Sequence, residues 1–202
     1  MTYESTYFLT TLADMKEYLG IDSADTTADT TLLSIMTVMT YWMERYTGRK
    51  LKSRSNTEYY DGNRTDRVFL KNYPVTSTTS TIEVYDDLDR VYGADTKKAA
   101  GDLILYTDDG IVALDGDVFS IGLQNVKCVY TGGYGAGSAL VPHDLVGAAF
   151  EFTGFLWERR TRKNWADTAV NIIQGGVSIM DEWAPRTVRH VLDGYRSRRR
   201  GL

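Results

Sequence analysis

The feature that most constrains what this chain can fold into is the stretch from Asp29 to Arg49, DTTLLSIMTVMTYWMERYTGR. Its apolar residues, Leu32, Ile35, Met36, Met39, Trp42, Met43 and Tyr46, recur at three- and four-residue spacing, which lines them along one face of an α-helix. Asp29, Thr30 and Thr31 offer N-cap oxygens to the amides of the first turn, and Gly48 can take the left-handed conformation that commonly ends a helix. The opposite face holds Thr37, Tyr41 and Glu44. The apolar stripe is read as core, the alternative being a seat for another subunit's helix.

A chain of 202 residues with 43% hydrophobic content can bury the core of one domain, or of one domain with an inserted lobe. The single cysteine, Cys128 in VKCVY, has the surroundings of a strand interior and leaves no intrachain disulfide to form. The start, MTYESTYFLT, has neither a basic run nor a long apolar one, and no segment approaches the roughly 18 apolar residues of a membrane helix, so a soluble, untargeted protein is expected. Charge is uneven. Residues 1–140 hold 13 Lys/Arg against 20 Asp/Glu, a net −7, while residues 141–202 hold 10 against 7, a net +3. The final RSRRRGL alone contributes +4. An acidic body thus ends in a basic tail, suited to phosphates or to an acidic protein surface, or simply solvated.

Taken in order, TTLADMKEYL at 10–19 reads as a short helix capped by Thr10 or Thr11 and stopped by Gly20. The polar connection DSADTTADT leads into the 29–49 helix. From Glu58 the period falls to two or the runs become short and β-branched: EYYDG, RVFLKNYP, STIEVYDD, DLILYTDDG, IVALDGD and NVKCVYTGGYG read as about six strands, with turns at 61–63, 108–110 and 115–117. The expectation is an antiparallel sheet or small sandwich. Pro142 then opens a helix through Asn164, its stripe widened by Val146, Phe150 and Trp157. Gly147 and Gly154 within it suggest close approach of another backbone, because each weakens a helix by about 1 kcal/mol. Residues 164–180 read as loop with a short extended piece, GVSIM, and a last helix follows Pro185. The class is α+β, a helical bundle with an inserted antiparallel β lobe: residues 1–54 form the first helices, 55–135 the lobe, and 136–202 the closing helices and tail.

Chemistry is sparse. His143 and His190 lack the partners of a zinc site, and Cys128 has no activating neighbour in sequence. GGYGAG at 132–137 lacks the Gly-Lys-Ser/Thr of a phosphate loop and is cut off from the next helix by Pro142, so it reads as a flexible connector. Asp86, Asp87 and Asp89, and Asp115 with Asp117, lack the spacing of a calcium loop and read as turn residues. No catalytic, metal or cofactor site is expected, and the chain reads as a structural or binding protein rather than an enzyme. Its 14 tyrosines and 4 tryptophans exceed what a core needs and suit interfaces, with Tyr59, Tyr60 and Trp157 assigned to core packing.

The order of LADMKEYLGID, an acidic linker, a long helix ending ERYTGRKL, YYDGNRTDRVFLKNYPVTSTTSTIEVYDD, YTGGYG, VPHDLVGAAFEFTGFLWERR and APRTVRHVLDGYRSRRR resembles the head-tail connector proteins of tailed phages, also called adaptor or head completion proteins. The resemblance spans nearly the whole chain. It implies a virion protein of the neck, present in the host cytoplasm during assembly. Such a protein forms a homo-oligomeric ring, typically of twelve copies, beneath the portal protein. It extends the channel through which genomic DNA passes without sequence-specific binding, and it receives a stopper or tail completion protein. Tyr195, Arg196, Arg198, Arg199 and Arg200 are by this resemblance the candidates for portal contact. In a ring, Tyr41, Glu44 and Arg45 on the outer face of the 29–49 helix become candidates for the subunit interface. The alternatives are a stopper or tail completion protein of the same neck, and a nucleic-acid-binding protein using the basic C-terminus.

Overall fold

The computed structural model describes residues 5–135, 140–161 and 184–197. The chain is α+β and divides into two compact units, Met1–Gly48 with Pro142–Leu202, and Arg49–Val141. The expected loop at 164–180 with its GVSIM piece, and the basic pair Arg162 and Lys163, lie outside the described residues.

The first unit contains α1 (Leu12–Tyr18), α2 (Asp29–Thr47), α3 (His143–Thr161) and α4 (Arg186–Asp193). Thr11 starts α1 with a capping box: its hydroxyl accepts the Asp14 N–H at 3.1 Å while the Asp14 carboxylate accepts the Thr11 N–H at 3.3 Å. The start of α2 differs from expectation. Its N-cap is Ala28, with no side-chain cap, and the Asp29 carboxylate instead lies 2.5 Å from the Lys16 ammonium. Lys16 is buried, and its Nζ also donates to the Ser23 and Asp25 carbonyls at 3.3 and 2.8 Å. Two backbone carbonyls accept from the ammonium and one carboxylate neutralises it, which is what makes its burial possible. The acidic linker is consequently folded around a cation, whereas composition alone suggested only a polar connection. At its other end α2 stops as expected, with Gly48 at φ 73° and its N–H on the Glu44 carbonyl at 2.9 Å.

Leu32, Met36, Met39 and Met43 of α2 are fully buried, as are Leu145, Ala149 and Phe152 of α3 and Val188 and Leu192 of α4, so the α2 stripe is core. Trp42 meets Phe152 edge-on at 5.0 Å, and Tyr18 stacks on Phe150 at 5.0 Å. Among the described residues, neither helical glycine meets another backbone. A Cβ on Gly154 would stand 3.2 Å from the Tyr18 ring, and one on Gly147 would meet nothing described within 4 Å.

The second unit is a small β sandwich of β1 (Arg54–Gly62), β2 (Arg67–Phe69), β3 (Glu83–Asp86), β4 (Leu103–Tyr106), β5 (Ile111–Leu114) and β6 (Gly122–Gly132). The sheets, β1-β6-β3 and β2-β5-β4, are both antiparallel. Val84, Val126 and Cys128 from the first sheet and Val68, Val112 and Leu114 from the second share one core with Phe119 and Ile82. Strand alternation corrects one assignment: Tyr60 packs on this core, but its neighbour Tyr59 points the other way, is 49% exposed and meets Tyr92 at 5.5 Å. The glycine segment is also more ordered than a flexible connector over its described part. Tyr134 exchanges backbone hydrogen bonds with Leu51 and Ser53 at 2.7 and 2.8 Å, and Gly133, at φ 115°, would place a Cβ 2.7 Å from the Lys52 backbone.

Two outcomes are expected. Gly147→Ala raises stability by about 0.5–1 kcal/mol in denaturant titration, since the site is open and the conformation helical; a loss would reveal a neighbour not seen in this chain. Burial, then the nearby Glu58 carboxylate, pushes the Cys128 thiol up to about 12 from an ordinary 9.0. A folded-state value raised above the unfolded one gives stability that is complete below pH 9 and is lost as pH rises toward 12. A thiol reagent at pH 8 should therefore modify Cys128 only at the unfolding rate, and rapid labelling of the folded protein would contradict the burial.

Candidate docking surfaces

Three helix ends converge in the helical unit: α3 contributes Asp144, α2 contributes Tyr46, and the end of α4 contributes Asp193, Tyr195 and Arg196. Asp144, in the first turn of α3, accepts the Tyr195 hydroxyl on both carboxylate oxygens at 2.7 and 2.8 Å. Tyr46, in the last turn of α2, donates to Asp193 Oδ1 at 2.8 Å. That hydrogen bond, ahead of slight burial, raises the Tyr46 phenol above its usual range. The Arg196 guanidinium lies 5.2 Å from the Tyr46 ring centre and 3.7 Å from Asp193. Finally the Ser197 N–H donates to the Thr47 carbonyl at 2.7 Å, satisfying one of the orphan acceptors at the end of α2. Asp144 at a helix N-terminus and Arg196 beyond a helix C-terminus have the favourable sign for the helix dipole, whereas Asp193, at the C-terminus of α4, has the unfavourable one and is offset by Arg196 at 3.7 Å and by the Tyr46 hydroxyl.

These contacts place the sequence candidates. Tyr195 and Arg196 are engaged with their own chain and fix where the chain leaves α4. Arg198, Arg199 and Arg200 lie outside the described residues. On α2, Tyr41 is 48% exposed and Arg45 is exposed, but Glu44 is only 6% exposed and belongs with the buried Thr40 and Thr47. Placing Glu44 on the outer face is therefore corrected: the 40-44-47 row borders the methionine stripe, and the outward row is Val38, Tyr41 and Arg45. Val38 was missed; as an apolar residue off the main stripe it was the available signal. Tyr46, Asp144 and Asp193 were also missed, because their partners are distant in sequence.

The polar clusters of the β unit are tie-points. Glu58 accepts Tyr130 OH at 2.9 Å, Asn72 Nδ2 at 2.7 Å, the Lys71 N–H at 3.1 Å and also the Tyr60 hydroxyl. Asp87 accepts the N–H groups of Asp89, Val91 and Tyr92, as expected of a turn residue, and this holds its carboxyl below the usual range, the Tyr92 N–H contributing most. Asp117 pairs with Lys98 at 2.9 Å. Among the described residues no group of His, Cys, Asp and Glu could hold a metal ion.

A helical scaffold interrupted by a β sandwich is also the architecture of proteins in the neck of gene transfer agent (GTA) particles. The chain is similar to one in the neck of the empty GTA particle computed with C6 symmetry, at 20% identity and TM-score 0.64, covering 98% of this chain and 93% of that one. It is likewise similar to a chain in the neck of the native GTA particle computed with C12 symmetry, at 20% identity and TM-score 0.58, covering 98% and 92%. No curated protein matches the sequence. The head completion protein family model matches residues 8–198, and the chain belongs to that family, a family of virion structural proteins rather than of enzymes.

Tyr195→Phe should lower stability by about 0.5–1.5 kcal/mol and accelerate hydrogen exchange at the Ser197 amide. Unchanged exchange at Ser197 would show that the Tyr195–Asp144 bond does not hold the chain end.

Proposed function

We propose that this protein is the head-tail connector of a tailed-phage-like particle: a ring of twelve copies beneath the portal protein that lengthens the DNA channel and receives the stopper or tail. The observation that carries this reading is the shared fold over 98% of the chain with a protein from a neck computed with C12 symmetry, joined to membership of the head completion family. The charge distribution supports it. An acidic body does not hold the DNA phosphates that must slide past it, and the basic end suits an acidic partner.

In this reading Arg198, Arg199 and Arg200 supply the portal contact. Tyr195 and Arg196, tied to Asp144, Tyr46 and Asp193, set the direction in which the tail leaves. Val38, Tyr41 and Arg45 face the neighbouring subunit. A stopper or tail completion protein would occupy a different layer of the same neck, and images of assembled particles distinguish them: twelvefold density for this chain directly under the portal is expected, and its location in another layer would overturn the assignment. Deleting residues 198–202 should reduce binding to portal-bearing heads at least tenfold at low salt, with a smaller effect as salt rises. Unchanged binding would remove the tail from the portal contact.

A further inference from the structure

The first sheet of the β unit leaves one strand edge open. In the order β1-β6-β3, the outer edge of β3 is sealed by its own chain: the Lys98 N–H donates to the Val84 carbonyl at 2.8 Å and the Asp86 N–H to the Thr96 carbonyl at 3.1 Å. The opposite edge belongs to β1, nine residues long, and no described strand pairs on its outer side. Which groups lie there follows from β6. Within a strand each residue sends its N–H and C=O to one side and the next residue sends them to the other. The Asn125 and Thr131 carbonyls accept the N–H groups of Asp87 and Thr76 at 2.8 and 2.9 Å, so these residues, with Lys127 and Val129 between them, face the β3 side. Val126, Cys128 and Tyr130 therefore face β1 and bond Tyr60, Glu58 and Asn56 opposite them. That leaves the N–H and C=O of Ser55, Thr57 and Tyr59 directed outward, and all three residues are exposed.

Open edges invite another strand, and proteins usually blunt them with Pro, Lys or a bulge. Between Arg54 and Tyr60 there is neither Pro nor Lys, and the bulge comes only between Tyr60 and Gly62. The strand is also polarised. The cations Lys52 and Arg54 stand at or just before its start, and the carboxylates Glu58 and Asp61 toward its end. A second β1 running antiparallel brings each basic start beside the other's acidic end. Glu58 turns inward onto Tyr60, Tyr130, Asn72 and the Lys71 N–H, so the two strands do not oppose bare carboxylates. We propose that the protein, before it joins any assembly, pairs with a second copy through this edge, about a two-fold axis at Thr57. Ser55 then lies opposite Tyr59 of the partner subunit and Thr57 opposite its counterpart. Each pair exchanges both main-chain hydrogen bonds, and the two three-stranded sheets become one. The contact is isologous and closes after two copies, so it cannot propagate a ring. It is distinct from the ring contacts proposed above and does not rest on them.

The full chain, purified alone, should sediment as a dimer at micromolar concentration. Thr57→Pro removes the N–H at the axis and no bond of the β1–β6 ladder. It should sediment as a monomer with unchanged circular dichroism, while Thr57→Ala, which keeps the N–H, remains dimeric. Oxidation reads the register. Paired Thr57 Cα atoms lie about 5.5 Å apart, within disulfide range, whereas the two Ser55 positions are about 14 Å apart. Under mild oxidation Thr57→Cys should give a covalent dimer and nothing larger, and Ser55→Cys should stay unlinked; native Cys128 is buried and stays out of the reaction. A monomeric wild-type chain, a folded Thr57→Pro dimer, or equal linking of the two cysteine variants overturns the proposal. So does a Thr57→Cys chain that links only to a different neck protein when heads are present. If Thr57→Pro loses its fold, the two cysteine variants decide alone.

Discussion

The helical unit depends on how α2 ends. A helix leaves its last carbonyls without partners, and in this chain two of those acceptors are filled in ways that set the path of everything around them. Gly48 takes the left-handed turn and returns its N–H to Glu44, and Ser197 brings its N–H to Thr47. The first of these turns the chain out of the helical unit; the second fixes where the described C-terminus lies. Tyr46, in the same last turn, adds a hydroxyl for Asp193 and a ring for Arg196. One helix terminus therefore fixes two chain exits, which is why ERYTGR is a compact motif: Arg45 faces outward, Thr47 is buried, Gly48 turns, and the next residue, Arg49, begins the β unit with its guanidinium on the Tyr73 carbonyl at 2.9 Å and 4.0 Å above the Tyr73 ring.

The two units solve the problem of buried polar groups differently. In the helical unit a lone ammonium, Lys16, gathers a loop of acidic sequence around itself. In the β unit carboxylates and an amide do the gathering: Glu58 and Asp86 accept donors from other strands and loops, Asp87 accepts three N–H groups of its own loop, and Asn125 accepts the Gly62 N–H and donates to Asp86 and the Ser120 carbonyl. Such networks stabilise only when every member is satisfied, and they rigidify the loops they touch. The rigidity falls beside a group of exposed aliphatic residues, Leu88, Val91, Ile121 and Leu123.

What could be read in the sequence was what depends on local periodicity. The three- and four-residue spacing of α2 identified its core face, period-two alternation and short β-branched runs found the six strands among the described residues, and Thr11 by its hydroxyl and Gly48 and Pro142 by their backbone marked boundaries. What could not be read depends on distant partners. Asp29 looks like a cap in isolation, but Lys16 takes it. Glu44 sits one residue off the apolar stripe, and only the packing of the unit decides that it turns inward while Arg45 stays out. Tyr59 and Tyr60 are equivalent in composition, and the register of β1 on β6 separates them. The docking candidates were legible as residue types at a chain end, whereas Asp144, Tyr46 and Asp193, which hold that end in place, are far from it in sequence.

Under the proposed function, a ring component has to remain folded alone and still hold back surface for its neighbours. The division of labour in this chain meets both demands. Methionine and leucine rows form the core described in the helical unit, and valines from both sheets with Phe119 and Cys128 form that of the β unit. The residues left outward, Val38, Tyr41 and Arg45 on α2 and the Leu88, Val91, Ile121 and Leu123 group on the lobe, contribute little to that core and are free to be selected for contact. Because the loops carrying the lobe's group are shaped by left-handed Arg90, Tyr92 and Gln124 and by buried Asn125, assembly need not reorganise them. The conformational cost of shaping that surface is met during folding of the single chain.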